Sequence, residues 1–279
     1  MRAVLASVPA SGGRENEDLA AVTPSAAVLL DGAGIPAGLD SGCLHGVAWY
    51  ARTLGTVLLA RMNAAGSGPL PDCLYDAISE VRARHAGSCD LGHPGSPSAT
   101  VVAIRVSGDQ LEHLVLCDSA LLLAGASGPV RVVTDQRIEH VTRPFRGVLD
   151  RTLIGAPEHA AVFAGYVRTA RDLKNTPAGF WVAAAEPAAA GHALTGTTRL
   201  ADIRAVLLLS DGATRLTEVF GLASWQELSD VVQAGGPAEL IRLVRAAEAE
   251  DPDGLRWPRG KVTDDATVVY CDQLGPDPG

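Results

Sequence analysis

The chain has 279 residues, a formal net charge of −9, 47% hydrophobic residues and 20% charged residues. That apolar content supports a full core and excludes a disordered chain. The acidic balance excludes a nucleic-acid-binding surface, which needs clustered Lys and Arg; here nearly every basic residue is Arg, and Lys174 and Lys261 are the only lysines.

In chain order, RAVLASV (2–8) predicts a strand, and AAVLLDG (26–32) a second whose unbroken apolar run predicts burial on both faces. From Leu44 a helical stripe of Val47, Ala48, Ala51, Leu54 and Leu58 follows, spaced by three and four. Pro69 and Pro71 open a second helix with Leu74, Ala77, Ile78 and Val81 on one face. Gly87 to Ser98 reads as a loop rich in Gly, Pro and Ser. The segments at 98–106, 113–118, 120–125 and 129–134 are short strands parted by tight turns, a spacing that requires hairpins and an antiparallel sheet.

Residues 135–200 form an irregular region, with a helix near Ala160 to Leu173, a strand in GFWVAAA (179–185) and a Gly/Thr-rich approach to Asp202. RAVLLLSDG (204–212) is again a strand. Helices at Trp225 to Val232 and Pro237 to Glu248 precede a closing strand, DATVVYCD (265–272). This order lacks the strict strand–helix alternation of a doubly wound sheet; it predicts an α+β layered domain over 1–274, with 275–279 as a tail.

The five cysteines (Cys43, Cys73, Cys89, Cys117 and Cys271) show no C-x-x-C pair; they read as reduced, buried thiols of a cytosolic protein and suggest no zinc site. The seven histidines show neither H-x-x-x-H nor H-E-x-x-H spacing and read mostly as surface or loop residues, His93 being the one mild candidate. The N-terminal apolar stretch is too short for a signal peptide, and no run approaches the ~20 apolar residues of a membrane span, so the expected location is the cytoplasm.

Four strong strands begin or end at a carboxylate: Asp31, Asp118, Asp211 and Asp264. A further acidic pair, Glu17-Asp18, precedes a strand. An Asp-Gly after an apolar run is ordinarily a hairpin turn. Neither VLLDGAG (28–34) nor LLLSDGA (207–213) is followed at once by a partner strand, however, so the turn explanation fails at both. Aspartates gathered at one end of a sheet resist ionising together unless a cation sits among them. An all-oxygen ligand set selects hard divalent ions such as Mg²⁺ or Mn²⁺, and a glycine behind the ligand lets its carbonyl approach the metal. Two such ions bridged by one carboxylate would hold and ionise a water, the two-metal arrangement for phosphate hydrolysis.

These residues resemble the motifs of the PP2C (PPM) family of metal-dependent protein phosphatases. ENED (15–18), VLLDGAG, SATVVAIRV with LVLCDSALLL, LLLSDGATRLTE and VTDDATVVY match the family's motifs in order along most of the chain. NTPAGFWVAAAEPAAAGHALTG (175–196) resembles a stretch of actinobacterial members. The resemblance implies a four-layer α-β-β-α sandwich, with two central antiparallel sheets and helix pairs outside them. It implies a cofactor of two divalent cations, Mn²⁺ or Mg²⁺, with Asp31 bridging both and the Gly32 carbonyl binding one. Asp211 and Asp264 would complete the other ion's ligands, and Asp18 with Glu17 would hold metal-bound waters. Asp118 would contribute to a weaker third ion. The implied partner is a phosphorylated protein, dephosphorylated at Ser or Thr.

Three departures stand out. The family's phosphate-binding Arg lies four residues before the motif Glu, whereas Arg14 lies three before Glu17. The family's G-D-S-R reads Cys117-Asp118-Ser119-Ala120, and Ala33 stands where animal members carry a His. The altered Arg14 spacing and the Arg missing after Ser119 slightly favour an alternative, a catalytically weak pseudophosphatase acting as a binding module, whereas the intact Asp31, Gly32, Asp211 and Asp264 set favours the enzyme more strongly. A small-molecule phosphatase on the same site is a third, which would differ in residues 135–200, where substrate selection is expected.

Overall fold

Strands with no polar alternation need cover on both faces, and the architecture supplies it. The computed structural model describes residues 1–13, 15–36 and 39–275. The strands are β1 (Arg2–Val8), β2 (Leu19–Val22), β3 (Ala26–Leu30), β4 (Val101–Ser107), β5 (Gln110–Leu116), β6 (Ala120–Gly125), β7 (Arg131–Val133), β8 (Leu194–Arg199), β9 (Ile203–Leu209) and β10 (Ala266–Asp272). The helices are α1 (Gly46–Met62), α2 (Leu70–His85), α3 (Arg137–Arg146), α4 (His159–Leu173), α5 (Asp211–Glu218), α6 (Trp225–Gly235) and α7 (Pro237–Glu250).

The strands form two five-stranded sheets, ordered β1-β10-β9-β6-β7 and β2-β3-β4-β5-β8, with every pairing antiparallel. On β3, Ala27 and Leu29 face the other sheet, where they meet Leu121, Val206, Leu208 and Val269. Val28 and Leu30 face the opposite way, into a layer closed by Leu54 and Leu58 of α1 and by Leu74 and Ile78 of α2. On the second sheet, Leu122, Leu207 and Val268 pack outward against Leu228 of α6 and Leu240 and Val244 of α7. Three apolar layers therefore separate four structural layers, the expected α-β-β-α sandwich, with α5 beside the α6–α7 pair. Among the described residues no helix is long and apolar enough to cross a membrane.

Several expectations need correction. The segment 179–185 is not a strand: it makes only isolated bridges, Ala99 with Ala183 and Lys174 with Phe180. Its Phe180 and Val182 are buried against Cys117 instead, so an apolar run with β-forming residues is spent on a small side cluster. The real strand of that region is β8, in LTGTTR, an edge strand with a largely exposed side-chain pattern and hence no apolar alternation to read. Leu44 lies outside α1 and is 84% exposed. Cys43 and Cys89 are only partly buried, whereas His85, His113 and His159 are buried rather than on the surface.

Leu208 is fully buried between the two sheets. Leu208→Ala should cost about 3 kcal/mol, read as a lower urea midpoint with an unchanged slope.

Candidate active site

Strand register brings the acidic ends together. Leu19 pairs with Leu30, so Asp18, just before β2, lies beside Asp31, just after β3. Leu209 pairs with both Ala120 and Val268, which sets Asp118, Asp211 and Asp264 at the corresponding end of the second sheet. The two groups meet directly: the Asp31 carboxylate accepts the backbone N–H of Asp211 at 3.1 Å. Asp211 is the first residue of α5, so this carboxylate sits where the helix presents unpaired N–H groups and partial positive charge.

The glycines behind the two aspartates have a steric reason. A Cβ on Gly32 would lie 2.6 Å from the Glu17 carbonyl oxygen and 2.6 Å from a Val47 methyl. A Cβ on Gly212 would lie 1.9 Å from the carbonyl oxygen of Asp265. At each point a second acidic segment crosses against the glycine backbone, and any side chain would push it away.

Crowding shows in the ionisation of the cluster. Burial first, and then the charges of Asp211, Asp18, Asp264 and Asp118, push Asp31 well above the usual carboxylate range. Burial raises Asp18 to about 7, helped by Asp211 and Asp265. Asp118 is also raised to about 7, by burial and then by Asp211. Asp211 is open to solvent on one side; the protein packed on its other side, and then Asp264, raise it too. Asp264 is the exception. Burial opposes its ionisation, yet Lys261 and Arg215 hold it below the ordinary value. Lys261 Nζ donates to one Asp264 oxygen at 2.8 Å, and Arg215 donates to the other at 3.0 Å.

Both carboxylate oxygens of Asp18 are buried and make no hydrogen bond of ordinary geometry; only the nearby Thr267 and Ser210 hydroxyls favour the ionised form. A buried carboxylate left in that state is costly, and a cation among its neighbours removes the cost. The all-oxygen set of Asp18, Asp31, Asp118 and Asp211 suits a hard divalent ion. Asp264 is less available, because both of its oxygens already accept from cationic side chains.

Two residues that hold this centre were not singled out from the sequence: Lys261 and Arg215. Asp265 accepts the backbone N–H of Ala10 at 2.7 Å and that of Glu17 at 2.8 Å, fixing the N-terminal acidic segment against β10. Glu17 lines an open cleft together with Lys261 and Asp264. Arg14 lies outside the described residues.

No protein-family model and no curated protein matches the chain. Solved structures do match along nearly its whole length. The catalytic domain of the serine/threonine protein phosphatase PstP, in complex with two manganese ions, is 17% identical; the alignment covers 97% of each chain with a TM-score of 0.55. The PPM Ser-Thr phosphatase MsPP from Mycobacterium smegmatis, in complex with cacodylate, is also 17% identical over 99% of each chain, with a TM-score of 0.56. Stp1 from Staphylococcus aureus is 15% identical over 98% of this chain and 95% of its own, with a TM-score of 0.56.

The chain has the PPM phosphatase fold.

Seen on the PPM fold, the departures at residues 117–120 have structural correlates. Cys117 adopts a φ of 71°, the left-handed conformation that glycine takes without strain. Its buried side chain packs with Phe180 and Val182. Ala120 is fully buried under the α5–α7 layer, a place with no room for an Arg side chain.

Gly212→Ala should destabilise the protein by about 3 kcal/mol, the upper part of the overpacking range, because the obstruction is backbone; urea unfolding reads it. Stability should also depend on pH. Asp18 and Asp118 keep their protons in the folded metal-free protein up to about 7, whereas in the unfolded chain they release them near 3.8. The folded state binds more protons between these values, so stability falls as pH rises through that window. With EDTA present, Tm should drop from about pH 4 to about pH 7, and added Mn²⁺ should raise Tm most at the upper end.

Proposed function

We propose that the chain is a divalent-metal-dependent phosphatase acting on phosphoserine or phosphothreonine in proteins. The observation that carries this reading is the junction of Asp31 with Asp211 beside the unpaired, buried carboxylate of Asp18. The fold shared with structures described as serine/threonine phosphatases, one of them with two manganese ions, supports the same chemistry here.

In this reading Asp31, Asp211, Asp18 and the Gly32 carbonyl are the principal ligands, with Asp264 on one side and Asp118 for a weaker third ion. Two bound Mn²⁺ or Mg²⁺ ions supply Lewis acidity and lower the pKa of water. The chain's own residues do the positioning. Asp265 holds the Glu17-Asp18 segment by accepting the Glu17 backbone N–H, while the Asp18 N–H donates to Asn16 Oδ1. Lys261 adds fixed positive charge at the cleft, where a phosphate dianion would arrive. Arg14, from the same N-terminal segment, is the candidate phosphate clamp. With Ala33 in place of an imidazole, protonation of the leaving alkoxide falls to solvent.

The pseudophosphatase reading has one observation in its favour: Lys261 and Arg215 already neutralise Asp264, in the way a metal would. Hydrolysis of p-nitrophenyl phosphate with Mn²⁺ and with EDTA, beside Asp211→Asn, separates the two. The phosphatase reading expects activity that needs the metal and falls at least about a hundredfold in the variant, since loss of even an outer-shell partner costs 10–100-fold. No activity above the variant at any Mn²⁺ concentration sinks it. Calorimetry on Lys261→Met adds a second readout: Mn²⁺ affinity should rise about tenfold, the effect of removing roughly 1.4 kcal/mol of charge repulsion. Mn²⁺ binding that appears only in Lys261→Met would establish a centre closed by its own lysine.

A further inference from the structure

Away from the acidic centre, four side chains of a different chemistry meet. Cys43 and His45 lie at the entry to α1, and His85 and Cys89 at the exit from α2. Their ligand atoms all lie within 4.8 Å of one another. The two sulfurs are 3.2 Å apart, Cys43 Sγ is 3.8 Å from Nδ1 of both histidines, and His45 Nδ1 is 3.3 Å from Cys89 Sγ. A zinc ion with Zn–S near 2.3 Å and Zn–N near 2.0 Å at tetrahedral angles sets ligand separations of about 3.3 to 3.8 Å. The four separations given fall within or just below that range, and the remaining pairs lie within 4.8 Å, so small side-chain adjustments reach that geometry.

We propose that Cys43, His45, His85 and Cys89 form a structural zinc site that staples the start of α1 to the end of α2. The set is Cys₂His₂, closed and without a position for substrate, and its mixed sulfur and imidazole donors select zinc over the hard ions suited to the carboxylates. Zn²⁺ with two thiolates and two neutral imidazoles has no net charge, which suits a partly buried position; binding releases whatever thiol protons the cluster still holds.

Three features of the surroundings point the same way. The His85 ring is 1% exposed, its Nε2 has no hydrogen-bond partner, and its Nδ1 faces Cys43 Sγ at 3.8 Å, so this buried imidazole turns its Nδ1 into the cluster. Both imidazoles are held by packing on Trp49, His45 stacked at 4.2 Å between centroids and His85 tilted at 5.3 Å. His45 is also the N-cap of α1 yet gives no side-chain capping hydrogen bond, leaving its ring nitrogens for another use. A disulfide is the rival, since Cys43 and Cys89 are adjacent, but it would need neither histidine; all five cysteines are free.

The test is zinc content by mass spectrometry of untagged protein dialysed against equimolar Zn²⁺, beside Cys89→Ser and Asp31→Asn. The proposal expects about one zinc per chain in the parent and in Asp31→Asn, with affinity at least about a hundredfold weaker in Cys89→Ser. Should Cys89→Ser fail to fold, Co²⁺ loaded into the unaltered protein decides: a tetrahedral thiolate site gives intense visible d–d bands and sulfur-to-cobalt charge transfer. A parent that holds no zinc, zinc lost in Asp31→Asn but kept in Cys89→Ser, a Co²⁺ spectrum without those bands, or a thiol count showing Cys43 and Cys89 oxidised to each other would each overturn it. None of these readouts depends on phosphatase activity.

Discussion

Asp18, Asp31, Asp118, Asp211 and Asp264 share one end of the sandwich, and their mutual repulsion constrains everything built around them. The fold answers it differently at each residue. Asp18 and Asp118 are shifted towards the protonated form, Asp31 rests on the first N–H of α5, and Asp264 is paired with Lys261 and Arg215. Arg215 is in turn fixed by Glu248, 1% exposed, which accepts from Arg215 and Arg245 at 2.7 Å each. Arg245 also donates to the Asp264 carbonyl at 2.6 Å. A buried ionic network therefore locks α5, α7 and the entry to β10 into one unit; removing any one member would leave a buried charge without its partner.

The layers were legible because the strands themselves are unambiguous. Runs such as Ala26 to Leu30 and Val206 to Leu209 have no polar alternation, and only a sheet covered on both faces accommodates that. The acidic ends were legible one at a time, as aspartates that no hairpin explains. Their convergence was not, because it depends on register: Leu19 opposite Leu30 is a local hairpin pairing, but Leu209 opposite Ala120 and Val268 joins residues far apart in the chain. The glycines were legible as a pattern but not in their steric role, since only the folded chain shows Glu17 and Asp265 crossing against Gly32 and Gly212.

What the sequence hid has common physical causes. Lys261 is one of several charges in a polar stretch, with Arg256, Arg259, Asp264 and Asp265, and nothing in its spacing distinguishes a cation aimed at Asp264 from a solvated one. The strand β8 hid because an edge strand rich in Gly and Thr carries no periodicity, while Phe180 and Val182 gave a strand-like composition to a segment that pairs with almost nothing. The C-x-H at 43–45 and the H-x-x-x-C at 85–89 are each too short to signal a metal site. They become one only because α1 and α2 pack antiparallel and return the chain to the same place.

The cysteine–histidine cluster and the carboxylate centre are linked by the segment between Gly32 and Gly46. At one end of it, Gly32 packs against Val47 in the first turn of α1. Near the other, the Gly42 carbonyl accepts the N–H of Asp90, one residue beyond Cys89, at 2.8 Å. The position of the Asp31-Gly32 backbone is thus set partly by how firmly the start of α1 is held, and α1 begins without a side-chain cap. A thiolate–imidazole set on one side of this segment and a carboxylate set on the other differ in softness, so ions that suit one are poor competitors for the other. With the proposed zinc bound, one end of this connection would be anchored by a closed cluster, while the other end would remain tied to the separate oxygen-donor set.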